Sequence, residues 1–134
     1  MQLNKIKLTA DSSERLKQLK AKTGLTPNIL CRIGFCLSLK DSSVPDPEKY
    51  PEEDREFNRY TLLGEWDSLY VALLRQRLAA DVATDYPEEA YFRAHLNRGV
   101  YLLSRIVRSV ADLANIASSQ GQSPESVFRM DLSR

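Results

Sequence analysis

The sequence predicts a mainly α-helical, single-domain protein that opens on a short strand. Three observations carry that reading. Residues 3–9 end in strict alternation of polar and apolar side chains, as a half-buried strand does. Two helix-like segments then follow on either side of Gly24, the second restarting at Thr26-Pro27. Beyond a proline-bearing acidic stretch, apolar residues recur at helical spacing to about Ser118. A chain of 134 residues with 43% hydrophobic and 28% charged side chains suits one folded domain rather than disorder.

Within the strand, Ile6 and Leu8 are expected inward, with Lys5, Lys7 and Thr9 on the opposite face. Asp11 is placed to cap the first helix, with Glu14 three residues on reaching back as in a capping box. That helix is expected to run to Lys22 or Thr23 with Leu16 and Leu19 inward, and Gly24 stops it. Thr26 caps the second helix and Pro27 takes its first position, where a missing N–H costs nothing. Its apolar stripe reads Ile29, Leu30, Ile33, Cys36 and Leu37.

Residues 41–56 hold Pro45, Pro47 and Pro51 among acids and read as an exposed acidic loop suited to mobility or to a partner. Phe57–Leu63 suits a short extended piece or the lead-in to a helix. Trp66, Leu69, Tyr70, Leu73 and Leu74 predict a helix from Glu65 to about Ala80. Pro87 and the acids after it mark a further start, with Pro87 at the first helical position. One long helix is then expected to about Ser118, with an interruption near Asn97-Arg98-Gly99 and one side lined by Leu96, Val100, Leu103, Ile106, Val107, Val110 and Leu113. The division is therefore a basic strand-helix-helix unit (1–40), an acidic loop (41–56), a helical part (57–118) and a polar tail (119–134) in which Val127 and Phe128 are candidates to dock.

Net charge is +1, yet its order is uneven. Residues 1–40 carry eight basic and two acidic side chains, a net of +6; residues 41–66 carry three and eight, a net of −5; the rest balance. A basic block is the usual footprint of polyanion binding, although solvated lysines on a helix face are also common. The candidate contacts are Lys5 and Lys7 on the strand with Lys17, Lys20 and Lys22 on the first helix. Free N–H groups of Asn28 and Ile29 at the second helix start would suit a phosphate. Arg98, Arg105 and Arg108 form a second rank, Arg108 being better placed to pair with Asp112.

Enzyme signatures are scarce. The single histidine, His95, reads as a helical residue with an ordinary hydrogen bond, and Cys31 and Cys36 read as reduced, partly buried thiols of a cytoplasmic protein. The chain lacks phosphate-cradling glycine motifs, calcium-loop spacing and the ligands of a zinc site. No catalytic residue, metal or cofactor is expected. No apolar run approaches a membrane span. Trp66, Tyr70 and Tyr101 are assigned to packing or to a subunit interface.

The strand-helix-helix order resembles a ribbon-helix-helix module, in which two chains pair their strands into an antiparallel ribbon. The run Thr23-Gly24-Leu25-Thr26-Pro27-Asn28-Ile29-Leu30-Cys31-Arg32 is more specific. With Leu16-Lys17-Gln18-Leu19-Lys20, Phe57-Asn58-Arg59-Tyr60-Thr61-Leu62-Leu63-Gly64-Glu65 and His95-Leu96-Asn97-Arg98-Gly99, it resembles the DndE family of DNA sulfur modification proteins over most of residues 1–117. The resemblance implies a non-catalytic subunit of the DNA phosphorothioation machinery, homo-oligomeric and tetrameric. It implies binding to double-stranded, preferably nicked, DNA in company with an ATPase and an iron–sulfur protein. Lys17 and Lys20 match the family's basic surface; Lys5, Lys7 and Lys22 come from the charge pattern. The rival readings are a protein-interaction adaptor working through the acidic loop and a ribbon-helix-helix transcriptional repressor.

Overall fold

A computed structural model describes residues 4–81 and 85–119. Val127 and Phe128, expected to dock, lie outside the described residues. Strand β1 (Lys5–Lys7) turns Ile6 and the following Leu8 fully inward and leaves Lys5 and Lys7 exposed, as the alternation predicts, but Thr9, expected on their face, is buried because the strand has ended and Thr9 caps the next helix. Its antiparallel partner is β2 (Glu56–Asn58) of the same chain, with Ile6 opposite Phe57 and Lys7 opposite Glu56. The ladder extends at both ends, where Leu8 N–H donates to the Arg55 carbonyl and Arg59 N–H to that of Asn4 (both 2.8 Å). The unit is thus strand-helix-helix and ribbon-helix-helix-like, but its ribbon closes within one chain rather than between two. Phe57, opposite Ile6 in the register, is buried with it in the core and anchors the closure.

Helix α1 (Ala10–Thr23) starts two residues earlier than a cap at Asp11 would have it. Thr9 is the cap, its Oγ1 accepting from Ser12 N–H at 3.0 Å, while its own N–H donates to Asn97 Oδ1 at 3.0 Å. Asp11 instead binds Arg15 within the first turn. The cap is chosen by a residue 88 positions away, which no local pattern announces. Gly24 ends the helix as expected, in the left-handed region at φ 75°.

Helix α2 (Pro27–Lys40) has the expected Thr26 cap and Pro27 start, but buries a different face. Leu30, Cys31, Gly34, Phe35 and Ser38 point inward. Of the predicted stripe only Leu30 is in the core; Ile33 and Leu37 lie at its margin, and Ile29 and Cys36 are outward. The helix is apolar nearly all round, so periodicity could not choose the face. Gly34 chooses it.

The acidic loop is fastened rather than loose. Arg77 donates to the carbonyls of Leu39, Asp41 and Ser43, and Arg93 to that of Tyr50. Pro45 and Pro47 are buried and a 3-10 turn spans Pro47–Lys49. The acids Asp46, Glu48, Glu52, Glu53 and Asp54 remain outward.

Residues 57–63 prove to be both extended and helical. Phe57 lies in β2, and α3 (Arg59–Leu63) follows, capped by Asn58. A 3-10 turn at Gly64–Trp66 leads into α4 (Asp67–Ala80), which Arg59 anchors through a paired contact with Asp67 (2.8 Å twice). On α4 the predicted stripe is again turned partly outward: Leu74 is buried, while Trp66 and Leu69 are about half exposed. Helix α5 (Glu88–Ile106) has Pro87 as its cap, one position before the predicted place, and passes through Asn97-Arg98-Gly99 without interruption. The break falls at Val107–Ser109 instead. There the backbone N–H groups of Arg108 (2.7 Å) and Ser109 (3.1 Å) donate to Asp112 Oδ2, starting α6 (Val110–Ser119). Asp112 is a cap, not an ion-pair partner of the Arg108 guanidinium.

The centre of the fold is the crossing of α2 and α5. A Cβ on Gly99 would collide with the Gly34 carbonyl group, and one on Gly34 would lie 2.7 Å from the Gly99 carbonyl carbon. The two backbones are therefore in direct contact. One turn further, Arg98 Nε donates to Ser38 Oγ (2.8 Å), so the hydroxyl hydrogen is free for His95 Nδ1 at 2.8 Å. The imidazole proton then sits on Nε2, which is buried without a partner. Burial, with Arg98 and Arg77 nearby, pulls the His95 pKa from 6.5 to about 3.

Substitution at the crossing should be costly. Gly99→Ala is expected to lower stability by about 3 kcal/mol or more in urea titration, because a backbone cannot swing aside as a side chain does. Gly24→Ala should cost only about 1 kcal/mol, since nothing lies within 4 Å and the strain is confined to φ. His95 adds a pH dependence. Between about pH 6.5 and 3 the unfolded chain holds this proton and the folded chain does not, so stability falls as pH drops through that window. The fall should reach at most about 1.4 kcal/mol per pH unit and be absent from a folded His95→Gln variant.

Candidate nucleic-acid interface

All five predicted lysines, Lys5, Lys7, Lys17, Lys20 and Lys22, are exposed, but they do not form one patch. Lys5 and Lys7 project from the outer face of the ribbon, where β2 delivers an acid beside them. Glu56 stands opposite Lys7 in the register, and its Oε2 lies 3.8 Å from Lys5 Nζ. The most basic and the most acidic segments of the sequence thus share one small sheet, and part of the linear charge separation is cancelled there.

Lys17 and Lys20, three apart, lie along one side of α1, the side on which Ser13 Oγ accepts from Arg55 N–H. Lys22 points about 140° away from Lys17, on the flank it shares with Arg15. Arg15 itself is committed: it binds Asp11 (2.8 Å) and Ser104 (2.8 Å) and stacks over Tyr101. Among the described residues, Lys7, Lys17, Lys20 and Lys22 enter no ion pair within 4.0 Å. Lys40, exposed at the end of α2, joins them without any sequence signal that would single it out.

At the start of α2 the Ile29 N–H is taken by Thr26 Oγ1 (3.5 Å), which removes one of the two backbone donors expected for a phosphate. The arginines of the second rank separate cleanly. Arg98 is buried and holds Ser38 and Ser43 through both carbonyls and both hydroxyls, so it is a fold residue. Arg105 and Arg108 are exposed, Arg105 with a donor on the Tyr101 hydroxyl at 2.9 Å.

Chemistry other than charge finds little support in the arrangement. His95 is locked in the helix crossing. Burial pushes the Cys31 thiol up to about 12, away from thiolate reactivity at neutral pH. Among the described residues no group of three or more His, Cys, Asp or Glu side chains could hold a metal ion, and no helix is long and apolar enough to cross a membrane.

Trp66 and Tyr101 are more outward-facing than packing residues would be, at 54% and 37% exposed. Tyr70 meets Phe35 edge-on at 5.9 Å. Together with Ile29, Ile33, Cys36 and Leu37 of α2, Trp66 and Tyr70 line an apolar groove closed on another side by Ile116 of α6.

Comparison with known proteins gives a consistent result. A family described as DNA sulphur modification protein DndE matches residues 5–110. The fold is similar to a crystal structure of DndE from Escherichia coli B7A, described as involved in DNA phosphorothioation modification. The TM-score is 0.61 and the identity 27%, covering 77% of this chain and 99% of that one. A glycine-to-lysine mutant of DndE, described as involved in DNA phosphorothioation, is similar in fold with a TM-score of 0.57. It is 23% identical, over 75% of this chain and 99% of that one. No curated protein matches.

Proposed function

The chain belongs to the DndE family of DNA sulphur modification proteins, and from this we propose that it is a non-catalytic, DNA-binding subunit of the phosphorothioation machinery. The observation that carries the reading is the Lys17–Lys20 side of α1, exposed and without acidic partners, on a helix inside the family-matched span. Lysine ammonium groups on a helix flank suit phosphate oxygens of double-stranded DNA, and such contacts hold a duplex without choosing a sequence. A duplex interrupted at a nick bends more readily than an intact one and so can meet lysines on more than one face, which favours nicked DNA as the ligand. Lys22 and the strand lysines Lys5 and Lys7 flank this grip, the latter two weakened by Glu56.

A single chain offers few phosphate contacts, so the reading includes a homo-oligomer, a tetramer, whose repeated lysine faces bind one DNA cooperatively. The ATPase and the iron–sulfur protein of the system are its partners in the cytoplasm, and no cofactor is needed by this subunit. The adaptor reading is favoured by one observation: Arg77, Arg93 and Arg98 hold carbonyls of the acidic loop and, through Asp41 and Glu52, two of its carboxylates, while Asp46, Glu48, Glu53 and Asp54 stay exposed toward a basic partner. Co-purification with and without replacement of Glu48, Glu52 and Asp54 distinguishes the two roles. The repressor reading is disfavoured, because a ribbon closed within the chain places Glu56 beside the lysines that would read bases.

Binding to nicked duplex across about 50–200 mM salt tests the main proposal. The Lys17→Ala/Lys20→Ala variant should lower the salt slope by about 1.8, or about 0.9 for each phosphate no longer neutralised. Its stability in urea should stay within about 0.5 kcal/mol of the parent. An unchanged slope would remove these lysines from the interface.

A further inference from the structure

Tyr101 is a surface aromatic that the fold braces in one orientation. Arg15 of α1 lies over its ring, 4.8 Å from the centroid, and is itself pinned by Asp11 and Ser104 (2.8 Å each). The Ser104 hydroxyl in turn donates to the Tyr101 carbonyl at 2.7 Å. One turn further along α5, Arg105 donates to the Tyr101 hydroxyl at 2.9 Å, its guanidinium 5.8 Å from the ring centroid. A side chain that served packing alone would be buried; this one is held between two cations and still exposed.

Part of the ring borders an open hollow of about 500 Å³ between the end of α2 and the second half of α5. Leu37, Leu102 and Ile106 supply its apolar walls, and Ile106 is half exposed. Lys40 and Arg105 stand at its rim, exposed and, among the described residues, without an ion pair within 4.0 Å. Asp41 also lines the hollow, but its charge is already met. Its Oδ1 accepts from the Ser43 N–H (2.9 Å) and hydroxyl (2.7 Å) and lies 3.9 Å from Arg98.

An aromatic face with apolar walls and two uncompensated cations at the rim is complementary to one chemistry above others. A nucleobase offers a flat π-face to the ring, and the phosphate beside it offers charge to the rim. Stacking on an aromatic side chain works for every base, so it needs no array of donors and acceptors. A base inside a duplex is covered on both faces by its neighbours and cannot stack there. We infer that this hollow takes an unpaired nucleotide of DNA, its base stacked on Tyr101 and its phosphate held between Lys40 and Arg105. The inference rests on the DNA-binding reading and adds to it a site that paired DNA leaves empty, apart from the Lys17–Lys20 side of α1.

The full chain would be titrated with a fully paired duplex and with the same duplex carrying a short unpaired thymine overhang. The overhang should tighten binding about tenfold, as one base stacked on an aromatic ring does. Tyr101→Leu should abolish that increment while binding the paired duplex as the parent does, which also shows that the variant is folded. Tyr101→Phe, which keeps the ring, should retain it. Replacing Lys40 and Arg105 by glutamine should shrink the increment with the tyrosine in place. Irradiation of 5-iododeoxyuridine placed in the overhang should crosslink to Tyr101. An increment that survives Tyr101→Leu, or a parent that binds the two DNAs equally, would overturn the inference and leave the DNA-binding reading standing. Binding to neither DNA would overturn both.

Discussion

The contact on which the rest of this structure depends is that of two glycines, Gly34 of α2 and Gly99 of α5. With no side chain on either, the helices meet backbone to backbone, an approach that a Cβ on either glycine would block. That approach fixes the rotation of α2, placing Phe35 against Phe92 at 5.1 Å and Ser38 against His95 and Arg98. It also explains why α5 runs unbroken through a glycine that would otherwise weaken a helix interior. The glycine is kept where it costs some helical stability because no other residue fits.

From the crossing the arginines carry the constraint outward. Arg98 reaches from α5 to Ser38 and Ser43, and Arg77 reaches from α4 to the same turn at the end of α2. Both hold carbonyl groups that a loop without regular structure would leave unpaired. The acidic segment is thereby laid along the molecule, and its end forms β2 beside β1. The charge asymmetry of the sequence is consequently folded against itself at Glu56, and the basic character that survives is concentrated on α1. A surface lysine left without an acid is worth more to a phosphate than one already paired.

Much of the fold was legible from local chemistry. The alternation at Ile6 and Leu8, the glycine stop at Gly24, the Thr26-Pro27 start and the lysines of α1 are all short-range signals, each decided by a residue and its neighbours within a turn. The departures from expectation have a common form. Thr9 rather than Asp11 caps α1 because Asn97 holds it; Arg98 is a structural residue because Ser38 and Ser43 surround it; the break after α5 comes at Val107 because that side chain turns into the core. In each case a distant partner outweighed the local preference.

The sequence alone therefore determined what local interactions decide: a helical domain opening on one short strand, the helix boundaries marked by glycine and proline, and a basic first helix in a family-like setting. Which face of α2 lies inside was left to the tertiary structure. On a helix with apolar residues nearly all round, burial energy is almost the same for every rotation. The choice falls to the one position, Gly34, where another backbone can come within contact distance.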